Sequence, residues 1–144
     1  MYRTLLLCKD NSVFTPMAYG YFKSILKKDQ SEIYCAGIIN KKIDQLILKV
    51  MLEDNIDISD YKPHLLPEFK SIDFDYVLTF DAESEEQSHH LPSKTVKYHY
   101  DFDKLLIDNG KAEERLENLR IVRERIKKTV RSFIKEHFTN SAVA

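Results

Sequence analysis

Glycine is scarce in this chain. Only Gly20, Gly37 and Gly110 occur among 144 residues. Neither glycine-rich nucleotide signature, GxGxxG or GxxxxGK(S/T), can therefore be written anywhere along it. Cysteine is nearly as rare: Cys8 and Cys35 cannot build a disulfide framework or, alone, a structural zinc site. An excess of one charge is missing too. The 22 Lys and Arg face 23 Asp and Glu, a net charge of −1, which argues against an electrostatic hold on nucleic acid or an anionic membrane. No apolar run approaches the roughly 20 residues of a membrane span, and Leu5 to Leu7 are too short a run for a signal peptide. The expectation is a reduced cytoplasmic protein with no cofactor, no metal, no nucleic-acid partner and no membrane. What is present, 43% hydrophobic and 31% charged residues, has the balance of a globular domain rather than a disordered chain. The length suits one domain over 1–144, burying roughly two thirds of the unfolded surface.

Strand and helix patterns alternate. Arg3 to Cys8 is a short apolar run with a buried-strand signature. Lys9-Asp10-Asn11-Ser12 breaks it, and Thr15-Pro16 reads as a helix start with Thr15 at the N-cap and Pro16 at N1. Met17, Tyr21, Ile25 and Leu26 give that helix an apolar face, and a stop is expected near Lys28-Asp29. A second strand over 31–36 is closed by Gly37. Ile43, Leu46, Ile47, Val50 and Met51 predict a helix over 41–54 capped by Asn40. Strands follow over 74–80 and 95–100, with a helical turn and loop over 83–90 between them. The acidic run Glu83, Glu85 and Glu86 reads as surface, and His89-His90, lacking a third ligand, as solvated. Leu116, Leu119, Val122, Ile126, Val130 and Phe133 recur at helical spacing and predict a final helix over 111–138. This order predicts a small parallel sheet with helices on both faces.

In open α/β sheets, ligands bind at the carboxyl ends of the strands, so the turn after strand one is where chemistry is expected. There Cys8 ends a strand that feeds a helix N-terminus, whose free N–H groups can cradle an oxyanion and whose field favours a thiolate. Asn11 is the residue suited to a left-handed turn. The same position also fits an inert thiol buried at a strand end.

The segment from Cys8 to Gly20 resembles the phosphate-binding loop of the low-molecular-weight protein tyrosine phosphatases and the thioredoxin-coupled arsenate reductases, C-x-x-N-x-x-R-S-x-M-A-E followed by Gly or Ala. Cys8 falls on the nucleophile, Asn11 on the loop asparagine, and Met17-Ala18 with Gly20 on the first helix. Four further stretches are similar in order and spacing: Tyr34 to Gly37 to Y-S-A-G, Met51 to Ser59 to M-x-E-x-G-I-D-I-S, Phe74 to Thr79 to F-D-x-V-(I/V)-T, and Val122 to Lys127 to V-R-D-x-I-K. The resemblance implies a three-layer α/β sandwich around a four-stranded parallel sheet of order 2-1-3-4. It implies a site that takes a phosphate-like oxyanion or a phosphoprotein through the loop residues Lys9, Asp10, Asn11, Ser12, Val13, Phe14 and Thr15.

The departures from that pattern are specific. Phe14 stands where the family has arginine, whose planar fork contacts phosphate in two places. Thr15 replaces the following serine and keeps its hydroxyl; Lys9 is the one cation left inside the loop. The family's general acid is an aspartate before a proline. Here Asp101 and Asp103 flank that position and the proline is absent, so the register stays open between them. Asp81 and Ser88 stand where the reductases carry two further cysteines, so their disulfide cascade cannot run here. Two functions follow: a degenerate member that binds an oxyanion or partner with little or no turnover, or an active phosphatase with Cys8 as nucleophile and Asp101 or Asp103 as acid.

Overall fold

A computed structural model describes residues 1–27, 29–106 and 110–142, with side chains to Phe138. Four strands, β1 (Tyr2–Asp10), β2 (Ser31–Ile39), β3 (Tyr76–Thr79) and β4 (Val96–His99), form one sheet in the order β2-β1-β3-β4, with every neighbouring pair parallel. Parallel neighbours require crossovers, and the helices α1 (Phe14–Ile25), α2 (Gln45–Leu52) and α3 (Ala82–Ser88) lie in them; α4 (Ala112–Ala142), kinked at Phe138, follows the last strand. This is the three-layer fold of order 2-1-3-4.

Alternation along β1 divides the core. Leu6 and Cys8 face the layer of α1, α2 and α4, packing with Met17, Phe22, Val50, Met51, Leu119, Val122, Ile126, Val130 and Phe133. Leu5 and Leu7 face the opposite side with Ala36, Phe74 and Val77, covered by Leu66, Phe69, Ile72 and Leu91. Burial on both faces explains why β1 reads as a continuous apolar run rather than an alternating one. Glu53 ties α2 to α4 by accepting from Arg120 (2.7 Å) and Arg123 (2.9 Å), and Lys127 meets Asp54 at 2.9 Å.

Several local expectations are corrected. Val13, not Thr15, holds the N-cap of α1, which places Pro16 at the third helical position, where its missing N–H still leaves no helical bond unmade. The helix ends at Ile25 rather than near Lys28-Asp29; Lys28 lies outside the described residues. Gly37 does not close β2 but lies inside it, donating its N–H to the His64 carbonyl (2.8 Å). A Cβ there would come within 2.8 Å of Asn11 Nδ2, so the glycine makes room for the loop. Asp44, not Asn40, caps α2, its Oδ1 accepting from Leu46 N–H at 3.0 Å. The stretch after β3 is more helical than a turn: α3 takes seven residues.

Candidate functional site

The carboxyl ends of the strands surround a cavity of about 460 Å³. Its walls come from the loop after β1 (Lys9, Asp10, Ser12, Val13, Phe14), from the β2–α2 connection (Lys41, Lys42, Asp44), from Asp81 after β3, from Asp103 and Leu106 after β4, and from Arg115, Asn118 and Leu119 on α4. Cys8 does not line it. At 1% exposure the thiol is buried beneath the loop, where its Sγ donates to the Asp10 carbonyl.

Electrostatics agree with the contact. Burial pushes the Cys8 thiol up to about 12, helped by the negative charges of Asp81 and Asp10. The hydroxyl and backbone N–H of Thr15 act the other way, with Thr15 Oγ1 at 3.4 Å from the sulfur. The expected lowering of the thiol pKa by the helix end is therefore reversed: desolvation outweighs it. Cys35, also buried, is pushed up for the same reason.

Asn11 does not take the left-handed conformation expected of it. Among the described residues the one non-glycine with positive φ is Asn55, which closes α2. Asn11 acts through its side chain instead. Its Nδ2 donates to the His64 carbonyl (2.9 Å), while Oδ1 accepts from Tyr61 (2.7 Å) and Thr15 (3.1 Å), a buried network with its members paired. Asp10 Oδ1 accepts from the backbone and hydroxyl of Ser12, and Asp81 Oδ2 accepts from the Lys9 N–H at 2.8 Å. The Lys9 and Ser12 N–H groups, expected to face inward and free, thus already hold protein carboxylates, whereas the Thr15 N–H does face the sulfur.

Phe14 is 4% exposed and packs against Phe102 (ring centroids 6.0 Å apart), which stacks on Phe80 and Tyr100. The Phe14 ring is thereby built into an aromatic group that joins α1 to the residues just after β3 and β4. The two acid candidates separate. Asp103 reaches the cavity and accepts the Ala82 N–H at 3.1 Å, while Asp101 Oδ2 pairs with Lys104 at 3.4 Å. Lys9 Nζ pairs with Glu83 at 3.2 Å. Three residues of this region escaped the sequence reading: Tyr61, Asp44 and Arg115. Asp44, standing just before Leu46-Ile47 and Val50-Met51, carried a legible capping signal; Tyr61 and Arg115 carried none. No group of three or more His, Cys, Asp or Glu suited to a metal occurs among the described residues.

A family model described as low molecular weight phosphotyrosine protein phosphatase matches residues 3–142. The chain belongs to this family. It is 30% identical over 127 residues to an arsenate reductase of Halalkalibacterium halodurans, covering 88% of this chain and 91% of that protein. Solved structures share the fold. One is the YwlE arginine phosphatase with a phosphorylated active-site serine (TM-score 0.75, 17% identity, 99% of each chain). Another is a low molecular weight protein tyrosine phosphatase from T. tengcongensis (TM-score 0.71, 23% identity, 94% of this chain and 99% of that one).

Proposed function

We propose that this phosphatase-family chain, a single domain over 1–144, binds a phosphate-like oxyanion or a phosphorylated protein in the cleft above the Lys9–Thr15 loop and carries out little or no phosphoryl transfer. The observation that carries this reading is the Cys8 thiol: buried against the Asp10 carbonyl, with no place on the cavity wall. A nucleophilic thiolate is needed to form a sulfur–phosphorus bond, and a thiol pushed up to about 12 supplies almost none at neutral pH. Phe14 adds to this, since a buried ring cannot make the charge-assisted contacts that stabilise a transferring phosphoryl group. The relatives' arsenate chemistry is not carried over: Asp81 caps α3 and Ser88 is a buried serine donating to the Glu85 carbonyl.

Thr15 favours the second reading, an active phosphatase. Its hydroxyl oxygen lies 3.4 Å from the sulfur and, turned from Asn11 Oδ1, would supply the donor a thiolate needs, beside the Thr15 N–H. In that reading the loop relaxes away from Cys8, the thiolate attacks phosphorus, Asp103 protonates the departing oxygen, and water then cleaves the phosphocysteine. Hydrolysis of an aryl phosphate, measured for the wild-type chain and for Cys8→Ser beside a calorimetric phosphate titration, separates the two. Phosphate binding without cysteine-dependent turnover is expected. Turnover that Cys8→Ser abolishes selects the active enzyme.

A further inference from the structure

The loop has lost its arginine, yet the cleft holds a guanidinium from another element. Arg115, in the first turns of α4, lines the cavity beside Ser12, Val13 and Phe14. Its Nη2 pairs with Asp44 Oδ2. Asp44 is fixed from two other directions: Oδ1 accepts the Leu46 N–H at 3.0 Å, and its own N–H donates to the Ser12 carbonyl at 3.1 Å. The guanidinium is thus held one residue away from the backbone of the loop. Its side chain remains 39% exposed, so a solute entering the cavity can reach it.

Charges of both signs line the cavity. Asp81 and Asp103 are occupied by the N–H groups of Lys9, Ser84 and Ala82. Lys41, Lys42 and Arg115 line the cavity as well, with Lys41 Nζ 4.0 Å from Asp10 Oδ2. For an anion entering the cavity, Asp44 is the competitor for the Arg115 guanidinium.

We propose that Arg115 is the oxyanion-binding residue of this cleft, taking a phosphate group on its two-pronged edge while Asp44 serves as the internal carboxylate that the ligand displaces. This rests on the reading that the cleft binds a phosphate-like anion, and it moves the charge contact from position 14 of the loop to α4. Arginine suits the role because its planar fork meets two oxygens of a tetrahedral anion, and it stays charged at any working pH. Asp44 suits its own because a carboxylate presents the same pair of oxygens, holding the fork in place until a ligand arrives.

Inorganic phosphate and phenyl phosphate, titrated calorimetrically into the full chain, test this; the second compound tells an ester from a free anion. Arg115→Ala should weaken phosphate binding by about tenfold or more, and Arg115→Lys by less, since lysine keeps the charge but not the fork. Asp44→Asn should strengthen binding by about tenfold, because asparagine caps α2 as well as aspartate does but no longer pairs with the guanidinium as an anion. Opposite signs from the two partners of one ion pair are not expected of a merely structural contact. Phosphate bound equally by wild type, Arg115→Lys and Asp44→Asn would overturn the assignment and leave the anion-binding reading standing. No phosphate bound by any of these proteins, Asp44→Asn included, would overturn both.

Discussion

Two strand ends on the same edge of the sheet feed helices, and the chain finishes them differently. At the end of β3 the helix start is closed by carboxylates: Asp81 Oδ1 accepts the Ser84 N–H at 2.9 Å, and Asp103 Oδ2 accepts the Ala82 N–H at 3.1 Å. At the end of β1 the N-cap of α1 is Val13, which offers no side-chain acceptor, and the Thr15 N–H is turned toward the Cys8 sulfur. A helix end that already holds carboxylates has satisfied its donors and its dipole, while one without a cap keeps both for something else. Cys8, the position that resembles the family's nucleophile, sits at the uncapped end, where burial pushes its thiol up. The contrast between the two helix ends therefore lies in the caps and in the thiol and ring packed beneath α1.

The largest effect expected at that contrast is on thiol reactivity. A thiol at about 12 holds roughly a thousandfold less thiolate at pH 8 than an ordinary one. Iodoacetamide should alkylate Cys8 in the folded chain at least about a hundredfold more slowly than in the unfolded chain. The folded value lies above the unfolded one. Its contribution to stability is thus complete below about pH 8.5 and is lost as pH rises toward 12. Cys8→Ala should lessen that alkaline decline, leaving the part that Cys35 and the tyrosines Tyr21, Tyr61 and Tyr100 supply. Rapid alkylation of native Cys8 at neutral pH would erase the distinction between the two helix ends.

Next in size is Phe14→Arg. The ring is buried against Phe102, so arginine must leave that space or carry a charge into it. A loss of about 3 kcal/mol in urea unfolding is expected, with thiol acidity unchanged. Unchanged stability together with a tenfold gain in phosphate affinity would mean that the loop can still adopt the family's open geometry. Smaller again is Gly37→Ala, whose Cβ meets Asn11 Nδ2 at 2.8 Å and the Ile39 carbonyl at 3.1 Å. A cost of about 1–3 kcal/mol follows. In an Asn11→Ala background much of that cost should vanish, because the clashing amide is gone; an undiminished cost would assign it to the Ile39 carbonyl instead.

The framework was legible in the residues and the state of the site was not, for a physical reason. Leu5 to Leu7 and the spacing from Leu119 to Phe133 report burial directly, since a strand covered on both faces and a helix covered on one leave periodic apolar signatures. Cys8, Asn11 and Phe14 could be placed on the loop by resemblance. Whether the sulfur is acidic depends on the Asp10 carbonyl and on Asp81, 73 positions away in the chain, and neither follows from local pattern. Helix starts failed where tertiary bonds overrode local preference. Thr15 looks like a cap, but its hydroxyl is drawn to Asn11 and Tyr61. Asn40 lost to Asp44, which gains both Leu46 and Arg115 as partners.

The smallest change, Asp81→Asn, tests whether the two helix ends communicate. Asp81 uses both oxygens, one for the Ser84 N–H and one for the Lys9 N–H at 2.8 Å. Asparagine keeps one oxygen and is an equally good cap, so α3 should persist, supported also by Asp103 at Ala82. Its amide then turns a donor toward the Lys9 N–H, and the lost charge-assisted bond should cost about 1–2 kcal/mol in thermal or urea unfolding. The more telling readout lies across the sheet. The Asp81 charge is among the causes that push the Cys8 thiol up, so its removal should shift the alkylation profile to lower pH. The shift should stop short of an ordinary thiol, because burial, the larger cause, is untouched. A profile that does not move would mean that the carboxylates closing α3 have no hold on the thiol beneath α1, and that burial alone keeps the proton on sulfur.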